Sequence, residues 1–211
     1  MVDSVNLASP GLLCAVASNT REALVRAAAS LMDAGGLEAV TLREVGRQAG
    51  VSRGAPYKHF TDKEALLAAV AAKDLDTLAG QLREVTAQAG PDHDLRVLMH
   101  RYVSWALAHP ARCRLVFAGW SRSSEELGIA ASSARSMLVE ATAAAQRSGQ
   151  LPTAEPERLS ALLQALANGA VELALAGHLS PDGKGMASPA DLVDDLFGYL
   201  RASVAVNHRQ R

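Results

Sequence analysis

The sequence predicts an all-α protein of about nine helices, with a small N-terminal three-helix module ahead of a larger helical domain. Three observations carry that prediction. Alanine fills 41 of 211 positions while aromatic residues number only eight, a bias toward the strongest helix former. Apolar residues recur every three or four positions along most of the chain. Ser or Thr followed three residues later by Glu, the sign of a helix start, returns several times, and Gly or Pro closes the segments.

In chain order, Asn19 with Glu22 opens the first helix, and Leu24, Val25, Ala28, Leu31 and Met32 form its apolar stripe until Gly35-Gly36. Thr41 with Glu44 opens a two-turn helix bearing Leu42, Val45 and Ala49, closed by Gly50. Ser52 caps a third segment through Phe60. Thr61 with Glu64 opens a long fourth helix through Leu66, Leu67, Val70, Leu75, Leu78 and Leu82, broken at Gly90-Pro91, and the domain boundary falls within it. A fifth helix carries Leu95, Leu98, Met99, Tyr102, Val103 and Ala106 and stops at His109-Pro110. Arg112 to Trp120 reads as a short helix, and Ser123 with Glu126 caps a long Ala-rich one to Ser148. Glu157 to Gly177 forms the next. After a Gly/Pro/Ser loop from His178 to Pro189, the last helix carries Leu192, Leu196, Leu200 and Val204. The chain thus divides into a flexible tail over 1–17, a module over 18–78 and a domain over 79–211.

Lys and Arg total 21 against 22 Asp and Glu, a formal charge of -1, which excludes a polybasic tail or a cationic coat as the means of holding nucleic acid. Cys14 and Cys113 are the only cysteines, too few for a disulfide framework or zinc cluster, and a reducing, cytoplasmic location fits. The apolar stretch from Leu12 to Ala17 is too short to span a membrane, and no Lys or Arg precedes Arg21, so neither a signal peptide nor a membrane partner is expected. There is no P-loop, no complete dinucleotide-binding glycine fingerprint and no His-Glu-x-x-His motif. His93, His100, His109 and His178 lack the spacing of a metal set. The sequence therefore predicts no enzyme, no cofactor and no metal site.

Charge is concentrated in one window. Between Thr41 and Lys63, Arg43, Arg47, Arg53, Lys58 and Lys63 face only Glu44 and Asp62, so this stretch is +3 and the remainder -4. A two-turn helix, the Ala49-Gly50-Val51 turn and a second short helix give it the layout of a helix-turn-helix over 41–60. Small residues at Gly54 and Ala55 let the start of the second helix approach base edges, and its dipole favours phosphate. Tyr57, Lys58 and His59 follow at about 100° intervals around that helix, so they cannot all meet one surface. Tyr57 and His59 are expected on phosphates and Lys58 nearer the bases. Pro56 stiffens the first turn. A plainer reading keeps Thr41 and Ser52 as caps, Arg43 and Arg47 as a solvated face, and Tyr57 and Phe60 as core anchors.

At Thr41-Leu42-Arg43-Glu44-Val45, Ala49-Gly50-Val51-Ser52-Arg53-Gly54, Tyr57-Lys58-His59-Phe60 and Lys63-Glu64-Ala65-Leu66-Leu67 the chain resembles the tetracycline-repressor (TetR) family over roughly Ser18 to Leu78. The resemblance implies a dimeric transcriptional regulator, usually a repressor released from double-stranded operator DNA by a small ligand. It puts Thr41, Tyr57, His59 and Lys63 on phosphates and Arg43, Arg53, Gly54, Ala55 and Lys58 at or near bases, with Ser52 beside them.

Tyr102, Trp105, Ala106, His109-Pro110 and Phe117 resemble TetR regulators with a Trp-His-Gly C-terminal domain, whose naming motif would fall at Gln164, Asn168 and Gly169, where only the glycine survives. Met99, Tyr102, Trp105, Phe117, Trp120 and Met137 suit either an apolar effector cavity or a plain core. Gln164, Asn168 and Glu172 share one helix face, either lining that pocket or bonding across a helix interface. An apolar organic effector is expected. Leu159, Leu162, Leu166, Leu192, Leu196, Leu200 and Val204, with small Gly169 and Ala170, are expected to pair with their copies in a four-helix homodimer interface. Control by a protein partner, or activation in place of repression, stays open at this point.

Overall fold

The computed structural model describes residues 10–89 and 94–209, so the first nine residues, the Gly90-Pro91 break and His93 lie outside the described residues. Nine α-helices are found among them: α1 Pro10–Gly35, α2 Leu42–Gln48, α3 Ala55–His59, α4 Lys63–Ala89, α5 Asp94–Ala108, α6 Pro110–Val116, α7 Glu125–Arg147, α8 Pro156–Leu175 and α9 Pro189–Arg209. A 3-10 turn, Leu37–Ala39, joins α1 to α2, and one β-bridge links Ser180 to Gly185.

Several starts differ from the expected ones. Helix α1 begins at Pro10, a residue suited to a first helical turn, so residues 10–17 are helical and Asn19 lies inside the helix rather than capping it. The cap of α3 is Gly54; Ser52 instead accepts the Ala55 N–H on its backbone carbonyl at 2.9 Å. Asp62, not Thr61, caps α4, its carboxylate accepting the Ala65 N–H at 2.8 Å, as a charged acceptor at a helix N-terminus should. Ser124, not Ser123, caps α7 and accepts the Leu127 N–H at 3.3 Å. In both long helices the Glu that would close a capping box is drawn elsewhere: Glu64 to Ser121 and Arg122, Glu126 to Arg21. Helix α6 ends at Val116, four residues before Trp120.

One hydrophobic cluster joins Leu24, Val25, Ala28 and Met32 of α1 to Val45 of α2, Phe60 and the start of α4, and reaches Leu115 of α6 and Leu127 and Ala130 of α7. Every residue of α4 from Leu66 to Ala72 is buried, because four alanines there let α1, α6 and α7 approach closely. A second cluster holds Leu95, Met99, Val103, Cys113, Leu159, Leu163, Val171, Val193 and Phe197. Leu159 and Ala170, expected at a dimer face, are therefore core residues. The outward face of α8 carries Leu162 and Leu173 instead, with Tyr199 outward on α9. Helix α4, about 40 Å long at 1.5 Å per residue, runs through both regions.

Candidate nucleic-acid interface

Helices α2 and α3 are held together by a small contact that size dictates. Gly46 is buried and faces the buried ring of Pro56; a Cβ on Gly46 would lie 2.7 Å from Pro56 Cγ. The turn between them needs a left-handed residue, supplied by Gly50 at φ +68°. Thr41 caps α2 as expected, its Oγ1 accepting the Glu44 N–H at 3.1 Å. Phe60 is buried under the Arg21 guanidinium, 5.3 Å from the ring centre, and so is a core anchor. Tyr57 is not: it is 59% exposed.

Ion pairing sharpens the +3 window. Arg47 is held by Glu44, with its Nε at 3.1 and 3.0 Å from the two carboxylate oxygens, and the hydrogen bond and charge of Arg47 hold Glu44 below the usual carboxylate range. Asp62 is met by Arg122 at 2.8 Å, a cation from outside the window. Arg43, Arg53 and Lys58 are exposed and form no ion pair among the described residues. Lys63 Nζ donates to the Leu37 carbonyl, a neutral acceptor, at 2.8 Å. Arg43, Arg53, Lys58 and Lys63 thus stand without an ion pair among the described residues, in the segment that carries α2, α3 and the start of α4. Gly54 stands at φ −88°, and an added Cβ there would meet nothing within 4 Å, so neither backbone conformation nor packing inside the chain requires glycine. Ser52 is exposed; Ala55 and His59 are half-buried on the same short segment.

Residues 24–70 match the family model for bacterial regulatory proteins of the tetR family, and residues 95–198 match that for the tetracyclin repressor-like C-terminal domain. The chain belongs to the TetR family of transcriptional regulators. It is 37% identical over 70 residues to the HTH-type transcriptional repressor KstR2 of Rhodococcus jostii, a match spanning 33% of this chain and 34% of that protein. It is 27% identical over 198 residues to the uncharacterized HTH-type transcriptional regulator Mb2274c of Mycobacterium bovis, covering 87% and 95% of the two chains. A protein of unknown function from Rhodococcus sp. RHA1 shares the fold at a TM-score of 0.73 and 24% identity, over 95% and 98% of the chains. AibR, solved with isovaleryl coenzyme A and operator DNA, shares it at a TM-score of 0.60 and 20% identity, over 86% and 97%.

In this TetR-family chain the residues expected to line an effector cavity fall into two groups: Met99, Tyr102 and Trp105 join the second core, where Tyr102 meets Asn168, while Trp120 belongs to the first. Met99 is buried and Phe117 is 46% exposed. Met137 and Gln164 are half-buried. Tyr102 donates its hydroxyl to Asn168 Oδ1 and sits 3.3 Å from Cys113 Sγ; burial pushes the phenol well above its usual range and raises the thiol as well. Glu172 is taken by Arg114 at 3.0 and 2.9 Å. Only Trp105 of the eight lines the cleft of about 850 Å³ formed with Gln81, Arg96, Val97, His100, Arg101, Ser104 and Arg201. Sequence reading missed that cleft; its signal was the polar stripe Arg96, His100 and Arg101 opposite the apolar face of α5.

The DNA-binding module is tied to the second domain by charge. Glu64 accepts the backbone N–H groups of Ser121 and Arg122 at 2.8 and 3.1 Å. Arg112 of α6 reaches Asp74 of α4, Nε to Oδ2 at 3.0 Å, and Asp33 of α1 at 3.1 Å. Asp74 is only 2% exposed, and the Arg112 guanidinium is its ion-pair partner there.

Proposed function

We propose that this TetR-family regulator is a repressor that holds a pseudo-palindromic operator as a homodimer and lets go when a small organic effector binds its C-terminal domain. The observation that carries this is that Arg43, Arg53, Lys58 and Lys63 form no ion pair among the described residues, in a helix-turn-helix segment whose Gly54 neither backbone conformation nor packing inside the chain requires. Phosphate neutralisation supplies affinity, and a Cβ-free helix start permits the backbone to close on base edges. Thr41, Tyr57, His59 and Lys63 take phosphates in this reading, and Arg43, Ser52, Arg53, Gly54, Ala55 and Lys58 lie at or near bases. The module spans 18–78 and the regulatory domain 79–211, the latter of the Trp-His-Gly subtype. Exposed Leu162 (66%), Leu173 (47%) and Tyr199 (73%) on α8 and α9 supply the apolar dimer face. AibR, with its coenzyme A thioester and operator, supports a two-ligand reading for this shared fold. The protein acts by binding, without catalysis, in the cytoplasm.

The test is binding-site selection followed by titration of operator and random duplexes. Lys63→Ala should weaken both alike and reduce the salt slope by about one charge, while Arg53→Ala should also relax base preference. Equal, sequence-independent losses for both variants would overturn the division of roles.

A further inference from the structure

Helix α5 has two chemically opposite faces. Leu95, Met99, Val103 and Ala106 turn into the core. Arg96, Val97, His100, Arg101 and Ser104 turn the other way and line the cleft of about 850 Å³ closed by Gln81 of α4, Trp105 and Arg201 of α9. Its volume is that of a site for an organic ligand of several dozen atoms. Its charge is lopsided. Asp194 Oδ1 lies 2.7 Å from Arg96 Nε and 2.6 Å from His100 Nε2, so one carboxylate is already shared by two groups. Arg101 and Arg201 are exposed and have no ionic partner among the described residues. Two guanidiniums lining one cleft without a carboxylate give it an excess of positive charge, and their planar forks match phosphate bidentately.

The cleft is not a continuation of the DNA surface. Gln81 lies 18 residues beyond Lys63 on α4, about 27 Å along the helix at 1.5 Å per residue. It does reach the DNA-binding module indirectly: the Trp105 ring is 6.1 Å from that of His109, whose Nδ1 is 3.0 Å from Asp33 of α1. We infer that the effector binds this outer cleft and is a phosphate-bearing organic anion, not a neutral apolar compound buried in the core. Arg101 and Arg201 hold the phosphates, Arg96 lies beside them, and Trp105 with Val97 covers a ring or apolar arm. This rests on the repressor reading for its regulatory consequence but not for the binding itself.

Calorimetry with the full chain tests it, using ATP and coenzyme A as phosphates on a ring, inorganic pyrophosphate as phosphate alone, and decanoate as one charge on an apolar tail. ATP or coenzyme A should bind with salt-sensitive affinity, and operator affinity should fall when it does. The double change Arg101→Ala/Arg201→Ala should weaken that binding at least about tenfold, whereas Arg101→Lys/Arg201→Lys, which keeps the charge, should lose less. A thermal melt checks that both variants fold. Binding of decanoate alone, no phosphate binding up to about 1 mM, or an unchanged affinity in the alanine variant would overturn the site. So would a loss of operator binding in that variant without ligand, which would make the cleft a DNA surface. Phosphate binding that leaves operator affinity untouched would overturn the effector role. If instead no operator emerges from selection, the repressor reading fails while calorimetry still decides the anion site.

Discussion

The N-terminal module and the C-terminal domain are both helical, yet they carry function in opposite ways. In the first, the functional groups are contiguous in sequence, from Thr41 to Lys63, and stand on a short turn whose inside is filled by Gly46, Pro56 and Phe60. In the second, the groups that gather at one place, Gln81, Arg96, Arg101, Trp105 and Arg201, come from three helices and a span of more than a hundred residues. A local motif needs only correct spacing to work. A cleft between helices needs the whole packing arrangement, and the same arrangement decides which side chains cancel one another.

The strongest way to break this contrast is at the seam between the two regions. Asp74→Leu should strand Arg112 against Asp33 and cost about 3–5 kcal/mol, the scale of breaking a buried pair. Asp74→Leu/Arg112→Met should recover much of that loss, as chemical denaturation would show. Equal damage in the single and double variants would mean that shape, not charge, makes the seam.

Next come two glycines eight residues apart with opposite expected behaviour. Gly46→Val should cost about 1–3 kcal/mol and abolish operator binding, because its side chain runs into Pro56. Gly54→Ala should change stability by less than about 0.5 kcal/mol while weakening operator DNA, since its Cβ meets nothing in the chain. Undiminished operator affinity in Gly54→Ala would remove the main support for close backbone approach at that point.

The smallest effect is pH-dependent. The side-chain hydrogen bond from Ser121, with backbone N–H groups and the Arg122 charge, holds Glu64 below its ordinary 4.5. The Ala65 N–H, with Arg122, likewise holds Asp62 below its ordinary 3.8. A carboxylate lowered on folding stabilises fully above its ordinary value, and that contribution is lost as pH falls through the lower folded value. Melting temperatures recorded from pH 7 to pH 3 should therefore drop more steeply in the wild type than in Glu64→Gln; parallel curves would show that this tie adds nothing. Both carboxylates are solvent-exposed, which keeps the effect small.

The same contrast explains what could be read in advance. Helix positions followed from spacing and from Gly35-Gly36, Gly50 and Pro110, because turn chemistry is local. Caps at Thr61 and Ser123 were each one residue early, since Glu64 and Glu126 answer to partners 57 and 105 residues away. Leu159 looks like part of an interface stripe, but it is buried in the second core. Of the aromatic residues read as an apolar cavity or a plain core, Tyr102 and Trp105 pack on the second core with Met99, whereas Trp120 packs on the first and Phe117 is exposed, a division that depends on packing.

By itself, then, the sequence determined the all-helical fold, the recognition turn and the family, all properties set by contacts a few residues apart. Tertiary structure decided which charges survive: it pairs Arg47 with Glu44 and Asp62 with Arg122, and leaves Arg43, Arg53, Lys58 and Lys63 without an ion pair among the described residues. It likewise leaves Arg101 and Arg201 open at the cleft while Arg96 shares Asp194. The reason is physical. Hydrophobic periodicity repeats along the chain and is visible in it, whereas the effective charge of a side chain depends on what lies within a few ångströms, and that is known only once the helices are packed.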